Sequence, residues 1–70
     1  MAKRHIYGWR VTDEGDSVAV FKDRESAETA AGVLEDTYDT GGFCVVPVYR
    51  PVNTTSLGTF KRQNPDLIWW

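Results

Sequence analysis

Leu67, Ile68, Trp69 and Trp70 stand together at the carboxyl end of the sequence, where small domains ordinarily carry frayed polar residues. Taking two indoles out of water removes roughly 300–500 Å² of surface. At ~25 cal/mol per Å² that is worth up to about 8–12 kcal/mol, as much as the whole stability of many domains. These four residues must be sealed either onto their own domain or onto a partner. They are therefore candidate core and candidate partner-binding residues at once.

Seventy residues make one small domain near the lower limit for a self-sufficient hydrophobic core. A hydrophobic content of 41% is too rich for a disordered chain, and no apolar run approaches the ~20 residues of a membrane span. Arg10, Asp13 and Glu14 interrupt any apolar stretch that would follow Lys3 and Arg4 in a signal peptide. Cys44 is the only cysteine, so no intrachain disulfide forms, in keeping with a reducing cytoplasm. The net charge of −2 conceals a strong segregation: +3 over residues 1–12, −7 over 13–39 and +2 over 40–70.

His5, Tyr7, Trp9 and Val11 alternate with Ile6, Gly8 and Arg10, the period of a strand from about Arg4 to Thr12. Asp13, Glu14, Gly15 and Asp16 form a polar connection of hairpin length to a second strand through Val18 to Phe21. Asp23 is placed to cap a helix over Arg24 to Tyr38, whose Ala27, Ala30, Ala31, Leu34 and Tyr38 form one narrow apolar stripe. Gly41 and Gly42 offer a left-handed residue to end it. Phe43 to Arg50 is a third strand, and Pro47 assigns it to a sheet edge.

The order β-β-α-β predicts an α+β fold with a three-stranded antiparallel sheet in the order 2-1-3. One helix covers one face, with Tyr7 and Trp9 beneath its alanines. Residues 1–51 make this ββαβ domain, and 52–70 form an extension packing on the sheet or on a partner. Since the third strand is apolar on both sides, the C-terminal tail is expected on the second face, with a tryptophan over Gly8. Asn53 to Thr59 resembles loop, and Phe60 to Arg62 a short extended piece.

The sequence offers no catalytic, cofactor-binding or metal-binding set. His5 is the only histidine, and Cys44 has no neighbouring thiol or histidine, which removes nucleophile-base pairs and zinc sets of these residues. Asp13, Glu14 and Asp16 lack the spacing of a calcium loop. Cys44 itself fits a small buried hydrophobe. Glu35, Asp36 and Asp39 fall where a helix dipole disfavours negative charge, with no lysine or arginine within four residues. Together with Glu28 they make an acidic docking patch for a basic partner. Lys3, Arg4, Arg10, Arg50, Lys61 and Arg62, interleaved with sheet aromatics, are the alternative, a nucleic-acid-binding surface, but the ribonucleoprotein motif is missing.

Taken together, the Tyr7-x-Trp9-x-Val11 strand, the acidic turn, the Val20-Phe21-x-Asp23-Arg24-Glu25 helix opening and the alanine-rich helix resemble short accessory proteins from viruses of actinobacteria. The resemblance spans Met1 to Phe43 and carries no site residue. It implies a host protein as the target. The expectation is a cytoplasmic, non-enzymatic protein-binding module whose partner is a host factor or a second copy. A structural homo-oligomer subunit is a further alternative.

Overall fold

The structure, a computed structural model, describes residues 4–39 and 41–69. Three strands, β1 (Gly8–Asp13), β2 (Asp16–Phe21) and β3 (Phe43–Val48), form an antiparallel sheet in the order β2-β1-β3. Helix α1 (Arg24–Tyr38) connects β2 to β3, and a short helix α2 (Leu57–Gln63) follows. No helix of the described residues is long and apolar enough to cross a membrane.

The β1–β2 connection is a two-residue turn with Glu14 at φ 50° and Gly15 at φ 91°. Positive φ at both central residues is the turn whose twist matches a right-twisted hairpin. Just before it, Val11 pairs with Ala19 but Thr12 with Ser17, so Val18 is an extra residue. Such a bulge re-aims a side chain, and Val18 turns toward the helical side, where it meets Leu34 and Tyr38 around one groove.

Asp23 caps α1 as its position predicts, its carboxylate accepting from the Ser26 N–H at 3.0 Å. The helix ends differently from the expectation. Asp39, not Gly41 or Gly42, takes the left-handed conformation at φ 52°, ψ 47°, and its N–H donates to the Glu35 carbonyl. A short polar side chain tolerates that region better than most residues, so the turn closes before the glycines are reached.

The core lies between one sheet face and the helices. Val11, Phe21 and Phe43 from the strands pack with Ala27, Ala30, Ala31, Val33 and Leu34 of α1, and Trp9, Ala19 and Val45 lean against them. Trp9 and Val11 therefore face the helix, but the strand begins only at Gly8, and His5 and Tyr7 are exposed, stacked edge to face at 4.5 Å. Tyr38, at the end of the predicted stripe, is 62% exposed, while Val33 on its flank is fully buried.

Val33 is covered because the C-terminal residues lie on the same sheet face as α1. Ser56 caps α2, accepting from the Thr59 N–H at 3.1 Å, and Phe60 inserts edge to face on Phe21, ring centroids 5.4 Å apart. Residues Phe60 to Arg62 are thus helical rather than extended. Leu67 joins the same core, with Trp69 packed at its margin. The tail belongs to the helical layer, not to the second face.

The chain reaches that layer by passing under the sheet. After β3 it crosses the helix-free face at Gly8, where an added Cβ would lie 3.2 Å from Thr54 Cγ2 and 2.9 Å from the Phe21 carbonyl oxygen. Thr55 then bridges to Phe21 at the far edge, its N–H donating to the Val20 carbonyl at 2.7 Å. Thr54, rather than a tryptophan, occupies the space over Gly8. Among the described residues β3 pairs only with β1, so Pro47 does lie on an edge strand.

Candidate functional site

The fold turns the charge pattern of the sequence into a spatial polarity. β1 runs toward Asp13, which pairs with Phe43 at the start of β3, and the Glu14 N–H reaches the Gly42 carbonyl at 3.4 Å. Because α1 returns to β3 from the opposite end of β2, its last turn arrives at this same end. Asp13, Glu14 and Asp16 of the hairpin thus share one end of the molecule with Glu35, Asp36 and Asp39 of α1. No basic residue lies in the last turn of α1.

Between these two acidic groups runs a groove of about 410 Å³, lined by Val18, Leu34, Tyr38 and Phe43 with Asp13 and Asn64 at its margins. The bulge delivers Val18 to it, and the Tyr38 ring stacks on Phe43 at 6.4 Å with an interplanar angle of 26°. Four hydrophobic side chains with the Asp13 carboxylate at their margin, at the acidic end of the molecule, offer an apolar contact in a negative field. That combination favours an amphipathic ligand of opposite charge.

Glu28 does not belong to this group. It sits in the first half of α1 and pairs with Arg24 at 2.7 Å, about 10 Å along the helix axis from Glu35. Arg24 in turn lies over the Trp9 ring at 5.6 Å. Glu28 and Arg24 are an exposed i,i+4 pair with the modest energetic weight of such pairs.

The four tail residues are separated by their surroundings. Leu67 is 8% exposed and Ile68 52%. Trp69 is half-buried, edge to face on Phe60 at 6.0 Å, with its indole Nε1–H donating to the Asn64 carbonyl at 2.9 Å. Lys61 Nζ lies 5.8 Å from the centre of the same ring. Leu67 and Trp69 are therefore part of this domain's own packing, Ile68 is available at the surface, and Trp70 lies outside the described residues.

A second hollow, which brings together three of the six basic residues named for the alternative nucleic-acid surface, opens on the helix-free face at the other end of the sheet. Its volume is about 600 Å³, and its lining includes Arg4, Arg10, Arg50, Tyr49 and Val52. The Arg4 guanidinium sits over the Tyr49 ring at 5.1 Å. Arg10 is half-buried, and its Nε is inaccessible and meets no acceptor. An unpaired buried donor of this kind costs about 1–3 kcal/mol. Residues 4, 10 and 50 are far apart in sequence, and only the pairing of β1 with β3 reveals that they converge.

Cys44 is exposed on the helix-free face, beside Thr12 in register, rather than buried as its apolar strand implies. Both helices lie on the opposite side of the sheet, which leaves it exposed. Among the described residues no group of three or more histidines, cysteines, aspartates or glutamates is arranged to hold a metal ion. Comparison with protein-family models, with curated proteins and with solved structures gave no match.

Proposed function

We propose that this chain is a non-enzymatic protein-binding module that takes a basic amphipathic segment of a partner in the groove at the end of α1. The observation that carries the reading is the coincidence of Val18, Leu34, Tyr38 and Phe43 in one groove with Asp13 at its margin, at the end of the molecule that also holds Glu35 and Asp39. Apolar side chains supply affinity by leaving water. The surrounding carboxylates select a partner by charge and raise its rate of encounter.

The resemblance to accessory proteins of actinobacterial viruses supports a host factor as the partner. The exposed thiol of Cys44 suits a reducing compartment, which supports the cytoplasm as the place of action.

The test compares the wild-type chain with a groove variant carrying Glu35→Lys, Tyr38→Ser and Asp39→Asn, each immobilised and challenged with actinobacterial lysate. The expected result is a set of basic proteins retained by the wild type, released by raised salt and absent from the variant. An identical set captured by both would overturn the reading.

A further inference from the structure

Arg10 stands in the middle strand with Val20 opposite it on one side and Val46 on the other. Its Nε is shut away from solvent without an acceptor. Among the described residues no carboxylate lies within ion-pairing distance of Arg10, Arg4 or Arg50. Six acidic residues are instead gathered at the opposite end of the sheet. Folding alone gains little from lining one hollow with three arginines, since like charges repel and apolar side chains would fill the space better.

The geometry points to a binding site for a phosphoryl group in the hollow formed by Arg4, Arg10 and Arg50. Each guanidinium offers five N–H donors in a planar fork, and three of them exceed what the two oxygens of a carboxylate can engage. A phosphate monoester brings three terminal oxygens and a charge of about −1.5 to −2 at neutral pH. The hollow, at about 600 Å³, is larger than a bare phosphate ion. Tyr49, Pro47, Pro51 and Val52 give it apolar walls, a seat for the organic part of an ester. Arg4 is held at the rim by its contact with the Tyr49 ring. This site lies at the other end of the sheet from the acidic groove and stands independently of the protein-binding reading.

The test is an NMR titration of the isotopically labelled chain with inorganic phosphate and with phenyl phosphate, using sodium chloride and sodium acetate at matched ionic strength as references. A second protein carries Arg4→Gln and Arg50→Gln, two exposed positions whose replacement leaves the core intact. The expected result is saturable shifts confined to residues 4, 10 and 47–52, with affinity reduced about tenfold or more in the double variant. Tighter binding of phenyl phosphate identifies an ester as the ligand, and tighter binding of inorganic phosphate identifies the free ion. Equal shifts with chloride, acetate binding as tight as phosphate, or an undiminished response of the double variant would each overturn the proposal.

Discussion

The backbone N–H of Ile68 donates to the Thr37 hydroxyl at 2.8 Å, and the same hydroxyl donates to the Val33 carbonyl at 2.8 Å. One side chain in the last turns of α1 thus anchors the C-terminal segment while satisfying its own helix. Thr37→Val keeps the shape and removes both bonds. The expected loss is about 1 kcal/mol of stability, read from urea unfolding, with more efficient acrylamide quenching of tryptophan as the segment loosens. An unchanged unfolding midpoint would show that the anchor has no energetic weight.

Leu67 and Ile68 are neighbours with opposite environments, 8% and 52% exposed. Leu67→Ala should cost about 2–4 kcal/mol through lost burial and a residual cavity. Ile68→Ala should stay within about 0.5 kcal/mol, the usual range at a surface position. Thermal melts of the pair decide the matter, since equal costs would place the segment elsewhere.

Gly8 and Gly32 make a similar contrast. A Cβ at Gly8 meets the Phe21 carbonyl oxygen at 2.9 Å, whereas one at Gly32 meets nothing within 4 Å. Gly8→Val should destabilise by about 1–3 kcal/mol by overpacking, despite the gain in strand propensity. Gly32→Ala, inside α1, should stabilise by about 0.5–1 kcal/mol. A Gly8→Val midpoint in denaturant at or above that of the wild type would contradict the close approach at Gly8.

Asp23 accepts from both the backbone N–H and the hydroxyl of Ser26. Asp23→Ala removes the cap, and a loss of about 1 kcal/mol is expected. Asp23→Asn should recover most of it, because the cap needs an oxygen acceptor more than a charge. Circular dichroism melts of both variants superimposable on that of the wild type would show that the cap is dispensable.

Much of the fold was legible because local signals agreed. The cap at Asp23 and the spacing of Ala27, Ala30, Ala31 and Leu34 define α1 to its observed bounds, and the hairpin-length connection over Asp13 to Asp16 with Pro47 on the third strand leads to the order β2-β1-β3. The second helix was not legible: Thr59 and Gly58 are poor helix formers, and Ser56, which caps it, falls within the stretch that resembles loop. The side taken by the tail depends on the crossing at Gly8, a tertiary event with no local signature. The candidate sites divide the same way. The acids of α1 are adjacent in sequence, but Val18 enters the groove only through a bulge, and Arg4, Arg10 and Arg50 meet only once the strands pair.

Pro47, on the free edge of β3, bears on the behaviour of many molecules rather than of one. The hexapeptide Phe43-Cys44-Val45-Val46-Pro47-Val48 carries no charge and three valines, a composition prone to cross-β stacking when neighbouring chains supply further strands. Proline brings no N–H to such a stack, and it interrupts the run where an uncharged sheet edge would otherwise template growth. For a folded monomer, valine at this position would serve the sheet as well or better. The consequence of Pro47 is therefore expected at high concentration, where one missing donor on the least charged strand disfavours edge-to-edge addition of further chains.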